Sequence, residues 1–370
     1  MSNLVCVDDF AREAHSILPR NALEYYRSGA DGEVTLSLNQ EALRRLRIRP
    51  RMLRDVTHRS TETTALGARL AVPIGVSPTA MQRMAHPDGE IANVKAVSKL
   101  GGVYILSTLA TSSIEEVAEA APECTRWFQL YIYKERKVTE QLVRRAERAG
   151  YKALVLTVDA PVFGFRRADV RHKFTLPSHL RLANFTDCQD EHKSKGVSTA
   201  TSGSGLNEYV AKLFDPSLSW SDVAWLKSFT SLPIVIKGVL TKEDALMGVE
   251  HGAAAIFVSN HGARQLDGTP ASIEALAEIT AAVNGRCEVY VDGGFTQGSD
   301  IFKALALGAD MVFVGRPALW GLTHSGQAGV EKVLGILKEE LDRSMALAGC
   351  SNLKQIVKNM VVHESFYHKL

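Results

Sequence analysis

The residues best suited to chemistry lie between Val258 and Pro270, where an apolar run ends in the sequence S-N-H-G-A-R-Q-L-D-G-T-P. His261 carries a side chain that titrates near neutral pH, and Arg264 adds a fixed positive charge three residues later. A base and a fixed cation suit a substrate with a carboxylate beside a proton that must be removed. The alternative interpretation is a strand that ends in a polar turn, with His261 an ordinary surface residue.

The composition of the chain limits its class. It has 370 residues, a net charge of +2, and 45% apolar and 23% charged residues, which is typical of one large α/β barrel or two smaller domains. Balanced charge disfavours nucleic acid as a partner. We expect neither a membrane span nor a signal peptide. Five widely spaced cysteines indicate a reducing compartment.

From Leu70 onward the chain repeats one unit: a β-branched apolar strand, a polar or glycine-containing loop, and an amphipathic helix that begins with capping residues such as Thr111-Ser112-Ser113 or Thr241. Eight such units in about 250 residues predict a TIM (β/α)8 barrel. We expect a single domain over 1–370, with an N-terminal cap at 1–66, the barrel at 67–350 and a tail at 351–370. The predicted strands are Val72–Val76, Val103–Ser107, Trp127–Ile132, Ala153–Val158, Pro233–Lys237, Ala254–Val258, Glu288–Val291 and Met311–Val314.

The N-terminal cap is predicted to be helical, with one helix from Asp8 to near Pro19 and a second over Ala22 to Ser28. In Arg44 to Arg51 arginines alternate with apolar residues. This pattern favours an edge strand across the barrel floor over an arm that binds nucleic acid.

One loop is much longer than the others. It follows the fourth barrel strand and runs from Gly164 to about Asp215, whereas loops in such units usually have about two to six residues. Its middle, Asp187 to Gly205, is rich in Ser, Thr, Lys, Asp and Gly. We expect a mobile lid over the catalytic face.

The last two strand tips predict a phosphate site. Asp292-Gly293-Gly294 follows the seventh strand, and Gly315-Arg316 lies where a helix begins after the eighth. Backbone N–H groups of a glycine turn and of a helix N-terminus bind anions, with Arg316 beside them.

The other strand tips converge on the same mouth and suit a flat polar ring. Ser77-Pro78-Thr79-Ala80 supplies small residues against which a ring can lie. Amide and hydroxyl side chains at Ser107, Gln129 and Thr157 hydrogen-bond a heterocycle well and bind metal poorly. A heterocycle that carries a phosphate predicts FMN as the cofactor, and we expect no metal.

Two tip residues each admit two interpretations. Lys237 can be a Schiff-base nucleophile or a cation beside the flavin, and the neighbouring amide and hydroxyl side chains favour the flavin. Asp159 can hydrogen-bond His261 and raise its basicity, or it can pair with Arg166 or Arg167.

These tips, in this order, resemble the FMN-dependent L-2-hydroxy acid oxidases over essentially the whole chain. The resemblance rests on specific motifs: Y-Y-R-S-G-A at 25–30, P-T-A-M-Q-R-M-A-H-P-D-G-E at 78–90, F-Q-L-Y-I-Y at 128–133, S-N-H-G-A-R-Q-L-D-G at 259–268, D-G-G at 292–294 and V-G-R-P at 314–317.

The resemblance implies roles for the tip residues. His261 would be the catalytic base and Asp159 its partner, while Arg166 and Arg264 would hold the substrate carboxylate. Tyr25 and Tyr131 would hydrogen-bond the carboxylate or the α-hydroxyl. The residues that would hold FMN are Pro78, Thr79, Ala80, Ser107, Gln129, Thr157, Lys237, Ser259, Asp292, Gly293, Gly294, Gly315 and Arg316.

The implied reaction oxidises an L-2-hydroxy acid to a 2-oxo acid, after which O2 yields H2O2. Whether His261 takes the hydroxyl proton or the α-proton stays open. The resemblance also implies a homotetramer. The segment His368-Lys369-Leu370 resembles the S-K-L address read by the peroxisomal import receptor, which predicts a peroxisomal location.

Leu109 departs from the family pattern. Glycolate-oxidising members carry S-S-W-A-T-S-S where this chain has S-T-L-A-T-S-S at 107–113. Loss of the indole from the substrate pocket predicts a preference for acids larger than glycolate. The alternatives are a dehydrogenase that uses an acceptor other than oxygen, and a non-redox lyase or isomerase on a phosphate-binding barrel.

Overall fold

The structure is a computed structural model that describes residues 4–185 and 204–369. Its N-terminal part contains α1 (Val7–Ile17), α2 (Arg20–Arg27) and α3 (Val34–Arg45), followed by β1 (Leu46–Ile48) and a hairpin of β2 (Thr63–Ala65) and β3 (Ala68–Leu70). The two predicted cap helices are confirmed with small shifts of their ends, whereas α3 is an addition to the prediction.

Eight parallel strands close into a barrel, as predicted. The last of them pairs with the first, so the sheet has no edge. The strands are β4 (Ile74–Val76), β5 (Val103–Leu106), β6 (Thr125–Leu130), β7 (Leu154–Thr157), β8 (Ile234–Val239), β9 (Ala255–Val258), β10 (Glu288–Val291) and β11 (Met311–Val314).

Helices surround the barrel. The predicted caps are confirmed at two of them, where Ser113 Oγ accepts from Glu116 N and Thr241 Oγ1 accepts from Asp244 N. The helices are α4 (Gly89–Leu100), α5 (Ile114–Ala120), α6 (Arg136–Arg148), α7 (Arg167–Arg171), α8 (Gly205–Leu213), α9 (Trp220–Lys227), α10 (Lys242–Glu250), α11 (Ser272–Val283), α12 (Gly298–Ala306) and α13 (Arg316–Ala348), with a break in α13 at Ser325 and Gly326.

The barrel interior is a packed apolar core. Trp127, Phe257 and Phe313 lie in it without solvent exposure. The β2–β3 hairpin covers its lower end, because Ala65 and Leu70 join this core and Leu66 N donates to Glu288 at the start of β10. The candidate site lies at the upper end, where the strands have their carboxyl ends.

The predicted strand within Arg44 to Arg51 exists, but its expected place was wrong. It is β1, which pairs antiparallel with β12 (Val361–His363). Leu46 and Ile48 pack against the outer core that the helices share, whereas the hairpin residues occupy the floor. Leu46 and Ile48 alternate with arginines because only one face of β1 is covered.

The segment after β7 is not one long loop. Between Gly164 and Asp215 the described residues include α7, α8 and a short 3-10 helix at Ala183–Phe185. Residues 186–203, which contain nearly all of the predicted lid, lie outside the described residues. Other short 3-10 helices are Gln82–Met84, Leu353–Gln355, Lys358–Met360 and Glu364–Lys369. Within residues 4–185 and 204–369, no helix is long and apolar enough to cross a bilayer.

Candidate active site

A cavity lies at the carboxyl ends of the barrel strands and brings together residues that are far apart in the chain. Every residue predicted for the site lines this cavity except Asp159 and Ser259, each of which hydrogen-bonds a residue that does. The tip residues therefore converge, as a parallel barrel requires.

His261 follows β9 in a tight left-handed turn. The φ angles of His261, Gly262 and Ala263 are 58°, 63° and 63°, a conformation that is unfavourable for residues other than glycine and is often found at functional sites. Two hydrogen bonds stabilise the turn: His261 N donates to Ser259 Oγ at 3.0 Å, and Ala263 N donates to Asn260 O at 2.9 Å. The turn directs the His261 side chain to the cavity.

His261 Nδ1 lies 2.9 Å from Asp159 Oδ1. Burial alone would raise the pKa of Asp159, but the charge and hydrogen bond of His261, together with Lys237, hold this pKa below its ordinary value. Because an ionised carboxylate only accepts, Nδ1 carries the proton and Nε2 is left with its lone pair. Asp159 thus pairs with His261, as the base–partner interpretation requires.

The expectation that Asp159 raises the basicity of His261 describes one of two opposing effects. Burial lowers the pKa of His261, Asp159 opposes this, and the charges of Lys237 and Arg166 lower it further. The net result is a pKa below the ordinary histidine value, so His261 is neutral at physiological pH and able to accept a proton.

Room for Asp159 depends on Gly238. This residue has a φ of 108° and sits in an irregularity of β8 between Lys237 and Val239. A Cβ placed on Gly238 would lie 2.7 Å from both Cβ and Cγ of Asp159. Glycine is therefore required for the close approach of the two strand ends.

Three arginines gather at the mouth. Burial and the charge of Arg264 lower the pKa of Arg166 to about 10, and burial with the charges of Arg264 and Arg166 lowers that of Arg316 to about 9. Asp169, which sequence analysis missed, is buried 4.0 Å from Arg166 Nη1. This crowding of positive charge favours a bound anion.

Some donors of these arginines already have partners. Arg264 Nη1 donates to the carbonyls of Tyr25 and Ser28. Arg316, predicted beside a phosphate, donates to the carbonyls of Tyr26, Gly262 and Ser28. Since a guanidinium has five N–H groups, these three bonds leave two N–H groups of Arg316 for an anion.

Aromatic side chains surround the arginines. Arg264 lies over the ring of Tyr25, at 4.7 Å from its centroid, and Phe174 stacks on that ring at 4.4 Å. Tyr131 contacts Phe163 and Phe214, with centroids 6.2 and 4.5 Å away. Leu109, buried to 2% exposure, lines the same cavity. Apolar and aromatic side chains thus form part of the cavity wall.

A row of uncharged polar side chains crosses the cavity. Gln129 Nε2 donates to Thr157 Oγ1 at 3.1 Å, and Gln129 Oε1 accepts from Thr108 N at 3.0 Å. Ser107 Oγ lies 3.4 Å from the same oxygen. On another side of the cavity are Pro78, Thr79 and Ala80, with Gln82 Nε2 donating to Thr79 Oγ1. The hydrogen bonds to Thr157 and Thr108 fix the orientation of the Gln129 side chain.

Lys237 is buried and belongs to a network of four side chains. Its Nζ donates to Ser259 Oγ at 2.8 Å and lies 3.3 Å from Asp292 Oδ2. Ser259 Oγ donates to Asp292 Oδ1 at 2.5 Å, and Ser77 Oγ donates to Oδ2 at 2.7 Å. Asp292 therefore neutralises Lys237, and Ser259 links both to the backbone of His261.

The predicted glycine turn and helix N-terminus are present. Gly293 and Gly294 have φ angles of 106° and 89°, and a Cβ on Gly294 would lie 2.7 Å from Asn39 O. Helix α13 begins at Arg316, directly after Gly315. Backbone N–H groups thus border this end of the cavity, which is the arrangement that binds phosphate in barrels.

Comparison with known proteins decides the family. Residues 14–363 match the family model described as FMN-dependent dehydrogenase. The chain belongs to this family. It is 53% identical to human 2-hydroxyacid oxidase 1, over 98% of this chain and 97% of the relative, and 51% identical to spinach (Spinacia oleracea) glycolate oxidase, over 96% and 95%. It is also similar to the crystal structure of mandelate oxidase with (S)-4-hydroxymandelic acid, with a TM-score of 0.92 and 42% identity over 96% and 98% of the chains.

The site of this FMN-dependent dehydrogenase fits its cofactor. The uncharged row at Gln129 suits a polar ring, Lys237 supplies a buried cation, and the glycine turn at 293–294 suits a phosphate. FMN is the cofactor of the family. Among the described residues, no group of three or more His, Cys, Asp or Glu side chains is placed to hold a metal.

Several residues near the site escaped sequence analysis. Leu36, Asn39 and Gln40 line the cavity from α3, and Asn39 exchanges two side-chain hydrogen bonds with Asn260. Gln265 hydrogen-bonds the segment that follows β7. The only sequence signal for Gln265 was its position within the S-N-H-G-A-R-Q motif.

Proposed function

We propose that this FMN-dependent dehydrogenase oxidises L-2-hydroxy acids to 2-oxo acids and that O2 is the electron acceptor. One observation carries the proposal: the neutral base His261, paired with Asp159, shares one cavity with Arg166 and Arg264. A base close to cations that bind a carboxylate is what α-oxidation of a hydroxy acid requires. The names of the human and spinach relatives support the same substrate class.

The substrate carboxylate binds to Arg166 and Arg264. Arg166 is 2% exposed, so an ion pair formed there is poorly screened by solvent. Tyr25 and Tyr131 line the same cavity and hydrogen-bond the carboxylate or the α-hydroxyl. Together these groups hold the α-carbon in a fixed orientation before the reaction.

Proton transfer falls to His261. Its Nε2 accepts either the hydroxyl proton or the α-proton, and Asp159 stabilises the imidazolium that results. When bound, FMN supplies the redox chemistry, taking two electrons from the substrate and giving them to O2, which forms H2O2. The residues that we propose to hold FMN are Pro78, Thr79, Ala80, Ser107, Gln129, Thr157, Lys237, Ser259, Asp292, Gly293, Gly294, Gly315 and Arg316.

The preferred substrate is an acid larger than glycolate. Leu109 occupies the place of the tryptophan expected in glycolate-oxidising members, and a leucine fills less volume than an indole. Phe163 and Tyr131 add an aromatic wall, against which a longer or aromatic side chain gains burial. The mandelate oxidase crystallised with (S)-4-hydroxymandelic acid supports this preference.

The enzyme acts in the peroxisome as a single-domain protomer of a homotetramer. Production of H2O2 gives a reason for this compartment, and the import receptor would read His368-Lys369-Leu370. A fluorescent fusion that ends in this tripeptide should enter peroxisomes, and one without it should stay outside.

Anaerobic stopped-flow spectroscopy tests the reaction. The purified holoenzyme is mixed with a panel of L-2-hydroxy acids and then with oxygen. We expect bleaching of the flavin band at about 450 nm, fastest with a long-chain or aromatic acid and rapidly reversed by O2. Slow reversal would indicate a dehydrogenase with another acceptor. A protein that does not bleach with any acid would refute α-oxidation.

A further inference from the structure

Gln265 joins two strand tips that must act together. It lies four residues after His261 and is 6% exposed. Its Nε2 donates to Asp159 O at 2.8 Å and to Val162 O at 2.9 Å, while its Oε1 accepts from Gly164 N at 3.1 Å. One amide side chain thus satisfies three backbone groups of the segment 159–164.

This segment has few other attachments. Among the described residues, no backbone–backbone hydrogen bond involves residues 159–164; the nearest are Val158 N to Lys237 O and Asp31 N to Phe165 O. On the solvent side, Val162 and Phe165 are 65% and 52% exposed. On the inner side, a Cβ on Gly164 would lie 2.5 Å from the carbonyl oxygen of Gln265. The segment therefore rests directly on the backbone that carries Gln265.

The segment 159–164 positions two residues of the site. Asp159 stands at its start, and Arg166 follows its end, where Arg166 Nε donates to Arg264 O at 3.3 Å. Among the described residues, the carboxylate of Asp159 has one hydrogen bond, between Oδ1 and His261, because its Oδ2 is buried without a partner. The position of the Asp159 backbone therefore decides whether Oδ1 reaches His261.

We propose that Gln265 is a positioning residue that holds Asp159 against His261 and Arg166 at the substrate. It does not line the cavity and acts through the backbone of 159–164. An amide is required because only a side chain with two N–H groups and one carbonyl can serve two carbonyl acceptors and one N–H donor. The inference rests on the proposed function for its kinetic readout alone.

The test compares Gln265→Met and Gln265→Glu with Gln141→Met, a matched change at an exposed position of α6. Gln265→Met removes all three bonds. Gln265→Glu keeps the acceptor for Gly164 N but loses the donors to the carbonyls, and it preserves the volume if the methionine variant fails to fold. We expect kcat to fall about 10- to 100-fold in both, as a displaced catalytic group implies, with no change in Gln141→Met.

A second readout is independent of turnover. The rate at which diethyl pyrocarbonate acylates His261, followed by peptide mass spectrometry across pH, reports the pKa of this histidine. Because Asp159 raises that pKa, Gln265→Met should lower it in the same direction as Asp159→Asn. The double variant should lose less activity than the product of the two single losses, since both changes break one interaction.

The outcomes separate the two proposals. If no acid is oxidised but Gln265→Met still lowers the pKa of His261, the proposed reaction is wrong and the positioning role holds. If the wild type oxidises hydroxy acids while the Gln265 variants keep its kcat and the pKa of His261, the positioning role is wrong. Losses that multiply in the double variant would also overturn it.

Discussion

Lys237 Nζ and Asp292 Oδ2 lie 3.3 Å apart, with 4% and 8% of their side chains exposed. The sequence favours Lys237 as a cation beside the flavin and indicates no partner for its charge. Instead its charge is balanced by a carboxylate that also accepts hydrogen bonds from Ser77 and Ser259. The cation that we propose to lie beside FMN is therefore held as half of an ion pair.

Breaking this pair from one side should destabilise the fold. Lys237→Met leaves the Asp292 carboxylate buried without its cation, which costs about 3–5 kcal/mol in comparable pairs. Lys237→Met/Asp292→Asn removes both charges and should recover most of that loss. Urea unfolding of the FMN-free proteins measures it. If the double variant is less stable than either single variant, the pairing is not what stabilises this site.

A methyl group at position 238 should displace Asp159. In Gly238→Ala the new Cβ meets Asp159 at 2.7 Å, and the φ of 108° is unfavourable for alanine. We expect kcat to fall about 10- to 100-fold together with lower stability. The control is Gly335→Ala in α13, where a Cβ meets no atom within 4 Å; it should keep full activity and gain roughly 0.5–1 kcal/mol. Equal activity of the two variants would argue against the steric requirement.

Leu109→Trp should shift the substrate range toward glycolate. Leu109 is 2% exposed, so the larger indole must occupy space in the cavity that Phe163 and Tyr131 also line. We expect the ratio of kcat/KM for 2-hydroxyoctanoate to that for glycolate to fall at least about tenfold, equivalent to about 1.4 kcal/mol. Leu109→Met, which nearly conserves volume, is the control. A wild type that prefers glycolate by a wide margin would remove the basis of this prediction.

The barrel was predictable because its strands are short β-branched runs separated by turns and helices. The observed β10 and β11 have the predicted ends, and β4 starts two residues later than predicted. The site followed from the barrel, since the tips of parallel strands meet at one end. That rule alone predicts that Asp159 and His261 lie close together, although they are 102 residues apart in the chain.

The features that the sequence did not predict have a common cause, which is hydrogen bonding between distant segments. Helix α3 begins with Val34-Thr35 and lacks a local cap. Instead Asp267 accepts from the backbone N–H groups of Val34 and Thr35, the first two residues of the helix, and from Gly32 before it. Likewise, the sequence predicts an anion site at Arg316, but only the fold reveals that the guanidinium of Arg316 also donates to three carbonyls. Such partners are set by tertiary packing and leave no periodic pattern.

The rate should rise with pH through the ionisation of His261. As the base that we propose, His261 accepts a proton only when it is neutral, and burial with the charges of Lys237 and Arg166 holds its pKa below the ordinary value of 6.5. The rising limb of kcat/KM should therefore have its inflection below 6.5, and His261→Gln should abolish the activity that defines it. The same shift affects stability: the unfolded chain binds a proton that the fold excludes, so the contribution of His261 is present above about 6.5 and is lost as pH falls through the folded pKa.

Asp159→Asn gives this prediction its sharpest test. Loss of the carboxylate removes the effect that raises the pKa of His261, so the rising limb should move to lower pH. At the same time kcat should fall, because the imidazolium loses its counter-charge. At pH 5 the variant should therefore keep a larger fraction of its own maximal rate than the wild type keeps of its maximum. A limb that moves to higher pH in Asp159→Asn would show that another group is the base.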